Sequence, residues 1–287
     1  MSFLTSYSFI FNGVNSLDHN VVIGWIDSSE ADVSTNGLNR EIKKTTRPKR
    51  LRDYVYATEN TDTITFTFCI VSMNGEEIPR PQSIKINRWL TSSPLPQLLQ
   101  FNDCDTYPLY YYAICTQIKD IVADGRLVGK EIKFETNSPF AFSAKTEKTF
   151  EVDGSMDFSI YNSADTYDDI YYPSITIETK SDTIVIENMT DQKSVTLQTR
   201  EISSDHEGNR LLKMDSEKMI LLDKDNCLIP AARIGWNESY RSYVSSLDDY
   251  MDNIYWPRLL RGMNKLKVTG SCILRLEYEY PRKAGCL

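Results

Sequence analysis

Between residues 61 and 70 the chain alternates without a break. Ile64, Phe66, Phe68 and Ile70 fall on one side, and Thr63, Thr65, Thr67 and Cys69 on the other. A period of two is that of a β-strand with one buried face. A segment this β-prone must be paired and covered, because left open it is an edge for aggregation. The chain is therefore committed to a sheet with an apolar layer over one face, and Asn74-Gly75 supplies the turn that follows.

The surrounding segments supply neighbours for that strand. Tyr7, Phe9 and Phe11 share a face ahead of the hairpin signal Asn12-Gly13, and a second strand is expected over residues 21–26. A short helix ends at Arg88-Trp89-Leu90. Its Ile86, Trp89 and Leu90 lie on one face, so Trp89 reads as a plug against the sheet. After Pro94 and Pro96 come a strand at 98–101, a polar turn at 102–105, an aromatic strand at 110–115, a turn at Asp124-Gly125-Arg126 and a strand through Ile132 and Phe134. The break at Ser138-Pro139 divides the chain into an N-terminal β domain, residues 1–138, and a C-terminal domain, residues 139–287. Beyond the break, short strands at 144–150, 155–160, 174–178, 183–187, 194–199, 218–222, 265–269 and 272–280 are punctuated by polar turns, which implies a β-sandwich. Residues 235–252 read as an insertion, a short helix or a long loop, and residues 261–264 as a turn.

Arg40, Lys43, Lys44, Arg47, Lys49, Arg50 and Arg52 form the strong charge block of the chain, with Glu41 its single acid. The block follows a stretch at 27–39 that reads as a loop, and the two lie within a region near 27–60. Three readings stand beside one another: a solvated loop, a nucleic-acid contact, or an arm reaching a neighbouring subunit. A net charge of −8 and the lack of aromatics within the block weaken the second. Six scattered cysteines without a Cys-x-x-Cys pair read as free thiols of a reducing compartment. Two histidines, His19 and His206, are too few for a zinc cluster and read as exposed loop residues. No apolar run reaches the roughly 18–20 residues of a membrane span, and the N-terminus lacks the pattern of a signal peptide, so synthesis and retention in a cytoplasm are expected. No Gly-rich phosphate loop, nucleophile–base pattern or calcium loop is present, and no cofactor and no enzymatic activity are expected.

The ordered set of elements resembles the distal tail proteins of long-tailed, non-contractile bacteriophages. The resemblance is carried by the strand before Asn12-Gly13, the 63–70 strand, the helix ending Arg88-Trp89-Leu90 and the strand into Phe101-Asn102-Asp103. It continues through the 110–115 strand and the Phe134 strand before Ser138-Pro139-Phe140. Near the C-terminus it extends to Trp256-Pro257-Arg258-Leu259 with Gly262, Asn264 and the strand into Val268-Thr269-Gly270. It implies a mainly β protein: an N-terminal ring-forming domain with one helix and an extended arm, then a galectin-like β-sandwich. It further implies a hexameric ring in the virion tail tip, assembled in the host cytoplasm. That ring joins the tail tube protein to tail-tip and receptor-binding proteins, with DNA only as passing cargo. On this plan the seven basic residues at 40–52 are the arm at the oligomer interface, though the family often has glycine here and this chain has none. A rival reading is a carbohydrate-binding module, because His206, Asn209 and Arg210 with Trp236 and Glu238 loosely resemble the sugar-site residues of galectins.

Overall fold

The computed structural model describes residues 6–24, 40–46, 51–60, 63–102, 108–165, 170–199, 204–222, 234–237, 242–245, 251–252 and 255–283, with backbone alone for the stretches between 234 and 252. The chain forms two compact units, one of residues 1–144 with 281–287 and one of residues 145–280. The sequence break at 138/139 lies six residues earlier than this division. Residues 139–144 stay with the first unit because Ala141–Phe142 pairs with Pro281–Arg282 and Phe142 also opposes Tyr110.

The first unit is built on one antiparallel sheet. In chain order its strands are β1 (Phe9–Phe11), β2 (Val14–Asn15), β3 (Val21–Gly24), then β4 (Arg40–Thr45) and β5 (Tyr54–Asn60) outside the sheet. Next come β6 (Thr65–Ser72), helix α1 (Arg80–Leu90), β7 (Gln97–Phe101), β8 (Tyr110–Ala123), β9 (Arg126–Thr136) and β10 (Ala141–Phe142). The sheet runs β2-β1-β7-β8-β9-β6-β3. The alternation at 64–70 does what its period requires: Ile64, Phe66, Phe68 and Ile70 are buried, while Thr65, Thr67 and Cys69 lie on the more open face. Asn12 and Gly13 both take positive φ, 51° and 75°, the turn geometry that matches the twist of a tight hairpin. Helix α1 starts after Pro79 and buries Ile86, Trp89 and Leu90 against the sheet. Trp89 lies over Phe9, with ring centroids 5.4 Å apart and planes at 18°, and its Nε1–H donates to the Phe11 carbonyl at 3.0 Å. An aromatic as large as this, packed and hydrogen-bonded at once, anchors the helix.

The second unit is a β-sandwich. Its strands are β11 (Thr146–Val152), β12 (Ser155–Asn162), β13 (Ile170–Tyr171), β14 (Ser174–Thr179), β15 (Thr183–Asn188), β16 (Lys193–Gln198), β17 (Arg210–Asp215) and β18 (Ile220–Leu222). They are followed by β19 (Ile234–Asn237), β20 (Ser242–Ser245), β21 (Met251–Asp252), β22 (Leu259–Leu260), β23 (Gly262–Thr269) and β24 (Cys272–Tyr278). One sheet runs β11-β24-β14-β17-β18 and the other β12-β23-β15-β16-β21. Ile175, Ile177, Leu274 and Leu276 of the first sheet pack with Ile160, Ile186, Val195 and Val268 of the second in one buried cluster. Between the sheets lies a cavity lined by Phe158, Ile175, Ile186, Leu266, Leu274 and Leu276 among others. Gly270 closes the β23–β24 turn at φ +116°, where a Cβ would stand 2.9 Å from the Thr183 carbonyl oxygen. Two sequence readings change here. The 235–252 insertion carries β19 paired with β20, plus β21 on the edge of a sheet, in place of a helix or loop. Gly262 and Asn264, read as a turn, already belong to β23.

Candidate assembly interface

The basic block opens as a strand. β4 pairs with β5 in an antiparallel hairpin that belongs to none of the three large sheets. Arg40, Lys43 and Lys44 lie on β4 and Arg52 just precedes β5, while Arg47, Lys49 and Arg50 fall outside the described residues. The lysines meet acids on their own strand and across the hairpin. Lys43 Nζ lies 2.9 Å from Glu41 Oε2 and 3.5 Å from Glu59 Oε2, and Lys44 Nζ lies 2.6 Å from Asp53 Oδ2. The hydrogen bond to Glu41 raises the Lys43 ammonium above its usual range, and hydrogen bonds from Lys44 and Thr46 hold Asp53 below the usual carboxylate range. These are exposed pairs, weak and readily screened by salt. Among the described residues of this hairpin the side chains left most open to solvent include large apolar ones: Ile42, Leu51, Tyr54, Val55 and Tyr56.

A second concentration of polar groups fixes the segment Trp256-Pro257-Arg258-Leu259. Arg258 makes a two-point contact to Asp191, Nε at 2.7 Å and Nη2 at 3.1 Å, and the Tyr255 hydroxyl donates to the same carboxylate at 3.0 Å. The guanidinium holds Asp191 below the usual carboxylate range, and burial pushes the Tyr255 phenol well above its own. Beneath them Asn162, Asn188 and Asn264 are buried. Asn188 donates to the Arg258 carbonyl at 2.7 Å, and Asn162 to the Leu259 carbonyl at 3.0 Å. Asn264 accepts from the Leu260 N–H at 2.8 Å and donates to the Leu260 and Gly262 carbonyls at 2.6 and 3.1 Å. Every partner is a neighbouring backbone or side chain, so this is a structural corner of the sandwich.

The galectin-like residues are engaged elsewhere. Asn209 Nδ2 donates to Asp205 at 3.0 Å, and Arg210 reaches the Ser181 carbonyl at 3.2 Å and Asp182 at 3.0 Å. Trp236 lies on β19 with its side chain outside the description, and Glu238 is outside it altogether. His19 departs from the exposed-loop reading: it is half-buried and stacked on Trp89, with centroids 4.6 Å apart and planes at 21°. Cys115 and Cys272 are free thiols that burial pushes up to about 11, so neither is a ready nucleophile at neutral pH. Among the described residues no group of three or more His, Cys, Asp or Glu could hold a metal ion, and no helix is long and apolar enough to cross a membrane.

Residues 4–138 match the phage tail protein N-terminal domain, and residues 140–278 match the phage tail C-terminal domain. The chain belongs to the phage tail proteins, with the fold of the distal tail family. That fold is shared by the SPP1 Dit protein, described as a paradigm of the hub adsorption apparatus in phages infecting Gram-positive hosts. The likeness has a TM-score of 0.59 at 9% identity, covering 96% of this chain and 99% of that one. A chain of the phage P2 baseplate, in its activated conformation with calcium, gives a TM-score of 0.53 at 8% identity over 98% and 99% of the two chains. A sequence search of curated proteins finds no match. The mainly β architecture implied by the sequence resemblance is present, in a chain of the phage tail protein family whose fold is shared with hub and baseplate proteins.

Proposed function

We propose that this protein is the hub of a phage tail tip: six copies close into a ring that joins the tail tube to the tail-tip and receptor-binding proteins. The observation that carries this reading is the hairpin β4–β5, a ribbon set apart from the sheet of the first unit, in a chain whose two halves both match phage tail domains. A two-stranded ribbon is marginal alone in water, so it needs a surface to lie on. An arm that leaves one copy and lies on the next makes a heterologous contact, and such contacts generate rings when the rotation closes. The arm comprises the stretch around 40–60, including Arg40, Lys43, Lys44, Arg47, Lys49, Arg50 and Arg52. The ring-forming domain is residues 1–138, and the C-terminal domain of 139–287 contains the sandwich. Assembly takes place in the host cytoplasm and DNA passes as cargo. A charge of −8 per copy would keep the wall from holding the phosphate backbone.

The reading is tested by the solution mass of the purified full-length chain, measured by light scattering across concentration. A species near six times the 33.0 kDa chain mass supports the ring. A strict monomer at every concentration overturns it.

A further inference from the structure

We propose that the solvent face of helix α1 docks an acidic polypeptide segment of a partner protein. The face belongs to a single chain, so it does not depend on ring closure. Helix α1 holds three cations and no acid. Its Ser83, Ile86, Trp89 and Leu90 are buried, and the other side carries Arg80, Ile84, Lys85 and Arg88, all exposed. Residues four apart lie one above another on a helix. Arg80, Ile84 and Arg88 therefore form a line with Ile84 in the middle, and its ends lie about 12 Å apart along the axis. Lys85, three residues before Arg88, flanks that line. Among the described residues, none of the three cations makes an ion pair or a hydrogen bond through its side chain.

The helix itself gains little from these charges. A cation in the first turn opposes the macrodipole, and Arg80 stands there with no acid beside it. Nor does the adjoining structure offset them. Glu77, ahead of the helix, lies 4.0 Å from Arg126, and Asp18, next to the His19 that stacks on Trp89, accepts from the Asn15 N–H at 3.3 Å. Elsewhere in the same unit surface lysines stand with acids, Lys119 with Glu131 at 2.6 Å and Lys133 with Glu135 at 2.7 Å. In a chain of net charge −8, three open cations on one helix face are a local reversal of sign. Such a patch favours a partner of opposite charge and steers its encounter. Ile84, 44% exposed, indicates what kind of partner. An apolar centre with charge at the rim is the anatomy of a protein–protein contact. Nucleic acid is held instead by cations with stacking aromatics, and the one aromatic of α1, Trp89, is buried. The matching occupant has two carboxylates about 12 Å apart with an apolar residue between them, which a helix presents as Glu at i and i+8 with Leu at i+4.

The probe is a labelled helical peptide with Glu at i and i+8 and Leu at i+4. It is titrated against the full-length chain by fluorescence anisotropy at about 0.1 M and about 1 M salt, between which the Debye length falls from about 10 Å to about 3 Å. Wild type is compared with the pair Arg80→Gln and Arg88→Gln, and with Ile84→Ser. All three positions are exposed, and the two arginines act oppositely on the helix dipole, so circular dichroism and melting should be unchanged. Wild type should bind saturably and more weakly at high salt. The arginine pair should bind about three- to thirtyfold more weakly at low salt, with little further loss at high salt. Ile84→Ser should bind about threefold or more weakly at both. Binding that either variant leaves unchanged overturns the proposal, as does no saturable binding up to about 1 mM peptide. Duplex DNA of equal charge bound more tightly than the peptide would assign the face to nucleic acid instead. An oligomer mass that falls in the arginine pair would assign it to a second copy, and either result overturns the acidic-segment reading.

Discussion

Truncating Asn264 to alanine should cost the sandwich about 3–5 kcal/mol. Asn264 is fully buried, and its side chain meets four partners: the Leu260 N–H, the Leu260 and Gly262 carbonyls, and the amide of Asn188 at 3.3 Å. Asn188 keeps its other bond, to the Arg258 carbonyl, after the change. The Leu260 N–H and the two carbonyls lose this partner, and each buried group left unmade costs about 1–3 kcal/mol. Partial rehydration at the strand end brings the total to roughly the cost of two such groups. Against the 5–15 kcal/mol that typically holds a domain together, this is a large fraction. Urea unfolding followed by circular dichroism would read it as a drop in midpoint at constant slope. Asn264→Asp sharpens the test. It keeps the acceptor for the Leu260 N–H but turns the donor into a carboxylate oxygen facing two carbonyls. That variant should be least stable at neutral pH and recover partly on acidification, as the protonated oxygen regains a donor. A loss below about 1 kcal/mol for the alanine variant, with no pH dependence for the aspartate, would refute the view that this side chain pins the 258–262 corner.

Trp89→Ala should cost about 3–5 kcal/mol, since it removes the stack on Phe9 and the bond to the Phe11 carbonyl, and thermal melting would show it. His19 gives the first unit a pH dependence of definite sign. Burial against Trp89 lowers its imidazole below the ordinary 6.5, Lys85 of α1 adds to this, and Asp18 opposes it in part. A depressed histidine means that the unfolded chain binds the proton more readily. Stability is therefore full above about pH 6.5 and falls as pH drops below it, and His19→Gln should flatten that slope in melts between about pH 7.5 and pH 5. Cys115 and Cys272 should resist thiol reagents at pH 8 in the folded protein and react once it is unfolded in urea, because burial holds both thiols near 11. Fast labelling of either in the native state would contradict their placement.

The elements legible in the sequence are those with one wet and one dry face. The 64–70 strand, the Phe9–Phe11 hairpin and the helix ending at Leu90 announce themselves because burial imposes a period of two or of 3.6. β8 was legible only at its start. It runs on to Ala123, but Gln117, Lys119 and Asp120 lie where the strand is open to water, so backbone pairing to β9 sustains it without an apolar period. β17 was hidden for a related reason: adjacent Leu211 and Leu212 break the alternation, and the loop-like residues before it suggest a continuing loop. The corner at Arg258 could be noticed as a motif, but not explained. Its partners Asp191, Asn188 and Asn162 are distant in sequence and meet it only across the fold.

The basic block shows how a hairpin adds to what charge along a sequence can say. Seven cations against a single acid between 40 and 52 look like an electrostatic arm. Yet Asp53 and Glu59 lie beyond the block, and so do Tyr54, Val55 and Tyr56. A hairpin folds the second group of residues back onto the first. Its register decides which acid meets which lysine and, through one extra residue at Tyr56, which apolar side chains come to share a face with Ile42. Shifting that register by one position would send Val55 to the other side and mix the two surfaces. The bulge is what lets Val55 and Tyr56 both stand opposite Lys44. Deleting Tyr56 should remove the bulge alone, leaving Val55 opposite Lys44 on the side of Ile42 and every lysine and arginine in place.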